Sequence, residues 1–327
     1  MKAFINANAR SISDAVSLVK QARQDNRSVA IAGGGSDLLA QMKERLVTPD
    51  VIVRLATIKN LDGVKLINPG ATIGGQMTLA AVATSALIRE EFVVLAEAAE
   101  SVATPQIRNV ATLAGNLCQR PWCWYYRNGF KCLKNGGTTC YSVAGENEFH
   151  AIFGGGPSYI VHPSDTAPAL VALDASFRIV GPSGERRVPA FDFFTLPTVN
   201  SARENVLADG EILAEIILPS RGRASIRSTY HKILDREAWT HAVVSAAVVM
   251  EMDKDVCRRA RIVLGGVAPI PWRLPKVEAL LAGKRITPEL AAQAGEAAIQ
   301  GATPLVKNRY KVPLTKAVVS RTIESLA

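Results

Sequence analysis

A short apolar strand runs directly into a glycine turn near the start of the chain: Val29-Ala30-Ile31-Ala32-Gly33-Gly34-Gly35-Ser36-Asp37. Apolar residues at helical spacing precede it over residues 13–23, and residues 38–43 again favour a helix. A strand, a glycine turn and a helix in this order expose backbone N–H groups to an anion. The stretch therefore predicts an α/β unit with an anion-binding turn, although a glycine triplet met alone is more often an ordinary tight turn.

Two more glycine turns follow further along the chain, Gly74-Gly75 and Ala111-Thr112-Leu113-Ala114-Gly115-Asn116. Two such turns could hold a pyrophosphate from both sides, because a Cβ at these positions would block the close approach of the backbone. Neither the turn at residues 33–35 nor the turn at residues 111–116 matches G-x-G-x-x-G or the P-loop pattern with its Lys-Ser/Thr. The turns therefore indicate neither a Rossmann dinucleotide site nor a nucleotide hydrolase.

Four of the five cysteines lie directly after the last of these turns. Cys118, Cys123, Cys132 and Cys140 have the spacing C-x4-C-x8-C-x7-C, which is neither that of a zinc ribbon nor that of a bacterial ferredoxin. Residues 1–10 lack the apolar segment of a signal peptide, so we expect the chain to mature in reducing cytoplasm and to reach the periplasm only with an exported partner. Clustered thiols in that setting favour a metal centre over disulfides.

Composition limits the classes of protein that need to be considered. The 327 residues are 48% hydrophobic and 20% charged, as in an ordinary globular protein with two or three domains. No apolar stretch is long enough to predict a transmembrane helix. The formal net charge is +9, but the basic residues are scattered and do not alternate with aromatic residues. Nucleic-acid binding is therefore disfavoured, and an anionic cofactor or a partner subunit explains the charge as well.

The pattern changes after about residue 220. Residues 225–233, 241–252 and 260–268 read as apolar strands, and the helical patterns lie at 277–281, 288–299 and 314–326. This succession predicts a small α+β domain, in which an antiparallel sheet of three strands carries helices on one face.

Five groups of motifs, in order along the chain, carry a family resemblance. They are Ile31-Ala32-Gly33-Gly34-Gly35-Ser36-Asp37-Leu38-Leu39; Thr72-Ile73-Gly74-Gly75; Gln106-Ile107-Arg108-Asn109-Val110-Ala111-Thr112-Leu113-Ala114-Gly115-Asn116; His162-Pro163-Ser164-Asp165-Thr166-Ala167-Pro168-Ala169-Leu170; and Tyr230-x-Lys232 with Leu264-Gly265-Gly266-Val267-Ala268. Together they resemble the FAD-binding (medium) subunit of the molybdenum hydroxylase and xanthine dehydrogenase family. The resemblance implies an α+β fold, with a two-lobed, PCMH-like FAD-binding domain over residues 1–219 and an α+β domain over residues 220–327.

The resemblance also implies roles for individual residues. The turn at residues 32–36, called the first turn below, and the turn at residues 112–116, called the second turn, are similar to the two loops around the FAD pyrophosphate. Asp165 matches an acid on the sugar or adenosine side. Leu218 and Lys232 are similar to residues near the adenine or isoalloxazine. The implied cofactor-binding residues are Ala32, Gly33, Gly34, Gly35, Ser36, Asp37, Thr112, Gly115, Asn116, Asp165, Leu218 and Lys232. Gly35 and Ala114 depart from the usual loop residues, from which we expect a modest shift of the loops and no loss of FAD.

The residues alone leave simpler interpretations open. Asp165 could equally cap a helix over residues 166–173, and Lys232 could be a solvated lysine at a strand edge. His150 and His162 are expected to be ordinary hydrogen-bonding histidines, and Cys257 to be a buried thiol.

Residues 117–160 form an insertion relative to most of that family. It resembles the iron–sulfur insertion of the flavin subunit of 4-hydroxybenzoyl-CoA reductase and of the FAD subunit of bacterial aldehyde oxidoreductases, which implies one [4Fe–4S] cluster with Cys118, Cys123, Cys132 and Cys140 as ligands. Cys118 is the least secure of the four, because it belongs to the turn that shapes the flavin site. From spacing alone a structural Zn site fits four cysteines equally well. The adjacent flavin element favours the cluster.

The function implied is electron transfer by an oxidoreductase subunit that holds FAD and a [4Fe–4S] cluster. The implied partners are a molybdopterin-binding large subunit, a [2Fe–2S] small subunit and an external electron acceptor or donor, and the direction of electron flow stays open. No nucleophile and base pair is evident, so no catalytic residue for substrate chemistry is assigned. The alternative is a noncatalytic assembly subunit with a structural Zn(Cys)4 site.

Overall fold

The N-terminal unit carries the first glycine turn. The computed structural model describes residues 1–67, 70–220, 225–237 and 240–327. The first elements are β1 (Ile5–Asn8), α1 (Ile12–Gln24), β2 (Val29–Ala32), α2 (Ser36–Lys43) and β3 (Val51–Arg54). The strands pair in parallel in the order β1-β3-β2, and α1 buries Ala15, Val19 and Ala22. The predicted strand, glycine turn and helix are confirmed here.

The second unit is built around an antiparallel sheet, whose described strands have the order β4-β5-β8-β6-β7. Its strands are β4 (Val64–Leu66), β5 (Ala71–Gly74), β6 (Ser176–Gly181), β7 (Gly184–Pro189) and β8 (Ile212–Leu218). Its helices are α3 (Leu79–Thr84), α4 (Ala86–Glu91), α5 (Val93–Glu100), α6 (Pro105–Val110), α7 (Leu113–Leu117), α9 (Thr166–Ala172) and α10 (Ala190–Phe193). The antiparallel pairing makes this lobe α+β, and only the first lobe has the parallel sheet of an α/β unit.

The insertion between α7 and α9 contains little regular structure. It holds one short helix, α8 (Trp124–Arg127), and two single 3-10 turns at Leu133–Asn135 and Tyr141–Val143. The segment before the last helix of the chain packs against it. Asn308 donates to the backbone carbonyls of His150 and Ala151, and Lys307 donates through its backbone N–H to Asn147. The C-terminal domain therefore helps to fix the insertion.

The C-terminal unit has the predicted three long antiparallel strands. The elements are β9 (Ser225–Ile233), β10 (Val244–Asp253), β11 (Val256–Gly265), β12 (Trp272–Arg273), α11 (Pro275–Leu281), β13 (Lys284–Arg285), α12 (Pro288–Ala298) and α13 (Lys311–Glu324). The described strands run in the order β12-β11-β10-β9, and the two-residue strand β13 also pairs with β11. The predicted domain boundary after residue 219 adjoins residues 221–224, which lie outside the described residues.

Strand β10 is buried on both faces. Ala246, Val248 and Met250 belong to the core that the C-terminal helices cover, whereas Ala247 and Val249 belong to the core of the second unit. Helices α5 and α9 of that unit pack on this second face. The domain's own helices cover one face of the sheet, as expected, and helices of the second unit cover the other. Burial on both faces explains why this strand reads as a continuous run of alanine and valine.

Lys311 is a fully buried cation at the start of α13. Its ammonium donates to the backbone carbonyls of Phe149 and Gly266, at 2.9 and 2.7 Å, and so joins the insertion to the C-terminal sheet. No carboxylate in the described part of the chain forms an ion pair with it. Burial lowers the pKa of Lys311 to about 7.

The lowered pKa of Lys311 predicts a pH-dependent stability. Between about pH 7 and pH 10 the unfolded chain binds more protons at this lysine than the folded chain, so the free energy of unfolding rises with pH, by up to ~1.4 kcal/mol per unit. Lys311→Met removes this contribution. Urea unfolding between pH 7 and pH 9.5 should show a steeper rise for the unmodified protein than for the variant. Equal slopes would contradict the lowered pKa of Lys311.

Candidate functional site

The first and second glycine turns pack directly against each other. A Cβ on Gly34 would overlap the carbonyl oxygen of Val110, and a Cβ on Gly33 would lie 2.5 Å from Oγ1 of Thr112. Only glycine permits this approach of the two backbones. The structure therefore brings together the two turns that the sequence singles out.

The two turns differ in the N–H groups that they offer. Gly35 is the N-cap of α2, has φ +77°, and has no side chain that could cap the first turn of the helix. In the second turn the N–H groups of Leu113 and Ala114 already donate to the carbonyls of Met77 and Gly75, and Gly115 donates to Thr112 Oγ1. The first turn is therefore the one that presents uncapped helix N–H groups to an anion.

Gln76 lies at the junction of the three glycine turns. Its side chain is buried, and its Oε1 accepts no hydrogen bond within the described ranges. The amide lies 3.4 Å from the position of a Cβ on Gly33. A buried acceptor without a donor indicates that another group belongs beside it. Sequence reasoning missed this residue, although it directly follows the Gly74-Gly75 turn.

Asn116 links the second turn to the start of α9. Its buried Oδ1 accepts hydrogen bonds from Ser164 Oγ at 2.5 Å and Thr166 Oγ1 at 2.7 Å. Ser164 also accepts a hydrogen bond from the backbone N–H of Ala167. Asp165 occupies the N-cap position of α9, but its side chain makes no capping hydrogen bond. The helix start is capped by Ser164, so the simpler interpretation of Asp165 as the cap is wrong.

Asp165 instead forms a buried cluster with two side chains of β9. Its carboxylate accepts from Tyr230 Oη and from Lys232 Nζ, both at 2.7 Å. The Asp165 and Lys232 side chains are 4% and 3% exposed. Lys232 is therefore no solvated lysine. Burial, followed by the adjacent Asp165 carboxylate, raises the pKa of Tyr230 well above its ordinary value.

This cluster borders a pocket of about 210 Å³ that His162, Ser164, Asp165 and His241 help to line. Burial lowers the pKa of His162 to about 3, so its imidazole is neutral at physiological pH. Leu218 is fully buried at the end of β8 in the core of the second unit. The structure therefore brings Asp165 and Lys232 together in one buried ion pair.

Asp37 faces the cysteine insertion. Arg127 donates to Asp37 Oδ1 at 2.6 Å, and the backbone N–H of Arg120 donates to Oδ2 at 2.9 Å. The Arg127 side chain is 6% exposed, and its guanidinium lies 4.1 Å from the centre of the Trp122 ring. An ion pair with one buried partner thus connects the helix of the first glycine turn to the insertion.

Glu204 provides a second anchor for the insertion. Its buried carboxylate pairs with Arg120 and with Lys134, both at 2.8 Å. Burial lowers the pKa of Lys134, an effect that the nearby Glu204 carboxylate opposes. The carboxylates of Asp37 and Glu204 and the segment before α13 therefore all contact the insertion.

Three of the four clustered cysteines line one pocket. Cys123, Cys132 and Cys140 surround a space of about 250 Å³, open in part to solvent, together with Tyr125, Tyr126 and Tyr141. Cys118 is not among the lining residues; it ends α7 and packs against the core of the second unit. Burial raises the pKa of the Cys118 thiol to about 12. Cys257 is fully buried on β11, as predicted.

The sulfur atoms in this pocket have polar neighbours. Cys140 Sγ lies 3.1 Å from Ser142 Oγ and accepts from the backbone N–H of Tyr159 at 3.5 Å. Burial raises the pKa of Cys123 to about 11, backbone N–H groups of residues 126 and 125 oppose this, and the other two thiols add to it. In the described ranges, no group of three or more His, Cys, Asp or Glu side chains is placed to hold a single metal ion.

His150, which lies outside the cysteine motif, contacts Cys123. Its Nε2 lies 3.4 Å from Cys123 Sγ, and its side chain is buried beside Tyr125. Burial, together with the nearby Lys311 charge, lowers the pKa of His150 to about 4. No sequence motif indicates this contact, because the histidine lies outside the run of cysteines.

The comparisons with known proteins cover nearly the whole chain. Residues 3–221 match the profile of the FAD binding domain in molybdopterin dehydrogenase, and residues 229–326 match the CO dehydrogenase flavoprotein C-terminal domain. The aldehyde oxidoreductase FAD-binding subunit PaoB of Escherichia coli is 31% identical over 86% of this chain and 86% of its own length. The chain belongs to the family of FAD-binding medium subunits of molybdenum hydroxylases.

Two further comparisons agree with this family. The carbon monoxide dehydrogenase medium chain of Hydrogenophaga pseudoflava is 27% identical over 97% of this chain and 94% of its own length. A solved carbon monoxide dehydrogenase from the same organism superposes with a TM-score of 0.77 at 25% identity, covering 99% of this chain and 97% of the other. As an FAD-binding medium subunit, the chain is an oxidoreductase subunit. None of the helices that the structure describes is both long enough and apolar enough to cross a membrane.

The buried cluster at Asp165 generates a stability prediction for this medium subunit. Asp165→Asn leaves the Lys232 ammonium buried without its counter-charge and should lower the free energy of unfolding by about 3–5 kcal/mol. Adding Lys232→Met should recover part of that loss, because the uncompensated charge is then absent. Denaturant unfolding of the two single variants and the double variant measures the coupling.

The exposed pair Asp255 and Arg285 is the control for this cycle, since both side chains are more than half exposed. Asp255→Asn should leave stability nearly unchanged. Strictly additive losses for Asp165 and Lys232 would show that the two side chains do not form the buried ion pair.

Proposed function

We propose that this chain is the FAD- and [4Fe–4S]-containing electron-transfer subunit of a heterotrimeric molybdenum hydroxylase. The observation that carries the proposal is the ion pair of Asp37 with Arg127, which joins the helix of the first glycine turn to the cysteine insertion. The two candidate cofactor sites are thereby held in fixed proximity. Such an arrangement suits one chain that exchanges electrons between two centres.

The residues of the glycine turns fit a bound FAD. The uncapped start of α2 would bind pyrophosphate oxygens through its N–H groups, while Thr112, Gly115 and Asn116 would form the opposite wall. The buried, unpaired Oε1 of Gln76 lies beside these turns and would accept a hydrogen bond from the cofactor. Ala32, Gly33, Gly34, Gly35 and Ser36 belong to the same cradle. Bound FAD supplies the exchange of one or two electrons.

The remaining predicted FAD residues have less direct support. Asp165 borders a pocket but uses both carboxylate oxygens within the protein, so its contact with the sugar or adenosine side rests on the family resemblance. Lys232 is proposed to hold that carboxylate in place. Asp37 is proposed to act through its ion pair with Arg127, without touching the flavin. Leu218 is proposed to shape the apolar core of the flavin-binding domain. We also keep the division into domains at residues 1–219 and 220–327 as a proposal.

The cysteine pocket fits an iron–sulfur cluster. Cys123, Cys132 and Cys140 line it together, and the ligands of a cluster bind separate iron atoms, so they need not converge on one point. Hydrogen bonds to the sulfurs and a surrounding shell of tyrosines would tune its potential. The sequence predicts Cys118 as the fourth ligand, but that thiol lies outside the pocket lining.

The proposed partners rest on the family resemblance. The carbon monoxide dehydrogenase chain is a medium chain, which places it in an assembly with other chains. By analogy, this subunit would exchange electrons with a [2Fe–2S] small subunit, next to a molybdopterin-binding large subunit, and with an external acceptor or donor. The exposed rings of Trp124 and Phe130, 63% and 40% exposed, lie on the insertion where a partner could contact it. We propose a cytoplasmic location, or a periplasmic one if a partner exports it.

The visible spectrum and the metal content of anaerobically purified protein test this proposal. We expect flavin absorption bands together with a broad brown absorption, and about four iron and four sulfide per chain. A yellow protein with zinc and no iron would contradict the cluster and favour a structural Zn site. A colourless protein would contradict the electron-transfer function as a whole.

The glycine turn has a separate test in Gly34→Val. The new side chain would collide with the carbonyl of Val110 and push the two turns apart, so flavin occupancy should fall at least about tenfold. The iron content should stay unchanged, because a Cβ on Gly34 meets Val110 and Ala111, neither of which lines the cysteine pocket. Flavin and iron are measured on the same sample. Gly63→Val is the matched control, since no atom lies within 4 Å of a Cβ at that position. Unchanged flavin occupancy in Gly34→Val would refute the assignment of this turn.

A further inference from the structure

We propose that Lys134 raises the reduction potential of the iron–sulfur cluster by holding a buried positive charge beside the cysteine pocket. The inference rests on the proposed function, since it concerns the cluster proposed there. Lys134 follows Cys132 by two positions and lines the pocket together with Cys123, Cys132 and Cys140. The lysine would thereby do more than anchor the insertion to Glu204.

The side chain of Lys134 is shielded from water and held at its charged end. It is 2% exposed, and its Nζ lies 2.8 Å from Oε1 of Glu204. The same ammonium donates to the backbone carbonyl of Arg203 at 3.3 Å. An adjacent carboxylate favours the charged form of a lysine, so the ion pair keeps the positive charge in this buried position. Solvent screens a buried charge only weakly, and such a charge therefore acts strongly on its surroundings.

Lys134 shares its counter-charge with a second cation. Oε2 of Glu204 pairs with Arg120 at 2.8 Å, while Oε1 pairs with Lys134. The nearby carboxylate of Asp37 is itself paired with Arg127. Among the described residues, Glu204 is the one carboxylate that forms an ion pair with Lys134. The protein therefore compensates this buried charge only in part, and a negatively charged group in the adjacent pocket would complete the compensation.

An iron–sulfur cluster with thiolate ligands is such a negatively charged group. Its reduction by one electron, which a partner centre supplies, adds one more negative charge to the site. A nearby positive charge stabilises the reduced form more than the oxidised form, so it raises the reduction potential. The Cys132 sulfur already interacts with the lysine: burial lowers the pKa of Lys134, whereas Glu204 and, more weakly, Cys132 raise it. Lys134 therefore makes the cluster easier to reduce.

Redox titration of the anaerobically purified full chain, followed by the EPR signal of the reduced cluster, tests this role. Lys134→Met leaves Glu204 paired with Arg120, so no buried charge stands alone. The equilibrium constant for reduction should fall about tenfold, which is about 59 mV for one electron. Lys134→Arg retains the charge and should keep the potential of the unmodified protein. Glu204→Gln removes a negative charge and should raise the potential.

Lys131→Met is the matched control. It removes the same charge one position before Cys132, but the Lys131 side chain is exposed. Solvent and salt screen an exposed charge, so the midpoint potential should stay nearly unchanged. Iron and sulfide per chain are measured on every variant.

The sign of the shift separates a charge effect from a structural one. Water that enters a loosened pocket stabilises the more highly charged reduced form, so it would raise the potential of Lys134→Met. An unchanged or raised potential in Lys134→Met would overturn the inference and leave the proposed function intact. So would loss of iron from both Lys134→Met and Lys134→Gln, since the lysine would then be needed for the structure of the insertion. An unmodified protein without iron would overturn the proposed function, and this inference with it.

Discussion

The ion pair between Asp37 and Arg127 is the constraint on which the arrangement of the two sites depends. Asp37 lies on the helix that starts at the first glycine turn, and Arg127 ends the short helix of the cysteine insertion. The arginine side chain is 6% exposed, so removal of either charge would leave the other poorly compensated. Arg127 also lies over the Trp122 ring and donates to the carbonyl of Pro121, which orders the backbone before Cys123. One side chain thereby joins the candidate flavin loop to the candidate cluster pocket.

The C-terminal domain contributes to the same organisation. Its sheet is covered on one face by its own helices and on the other by helices of the second unit, so the two domains share a core through β10. Lys307 and Asn308, which precede α13, and Lys311, its first residue, hold residues 147–151 of the insertion. His150 lies in that held segment. The position of an imidazole beside the cysteine pocket is therefore set by a domain that begins about 70 residues later in the sequence.

Local pattern predicted much of the fold and part of the site. The strand, glycine turn and helix at residues 29–43 and the three long C-terminal strands are confirmed, because each depends on neighbouring residues. Contacts between distant residues were not predictable in this way: Asp37 and Arg127 are 90 positions apart, and Asp165 and Lys232 are 67 apart. The sequence therefore indicated Asp165 as a helix cap or a cofactor contact, but not as the partner of a buried lysine. Gln76 was missed for the same reason, since it belongs to no recognisable motif.

The account as a whole predicts an iron–sulfur centre in the cysteine pocket, next to a flavin on the glycine turns. The most direct measurement is a crystal structure of anaerobically prepared protein, with anomalous diffraction data collected above and below the iron absorption edge. The account predicts iron-specific anomalous density between Cys123, Cys132 and Cys140, together with flavin density along residues 32–36. Anomalous density that appears only above the zinc edge, or the absence of any metal peak in the pocket, would contradict it.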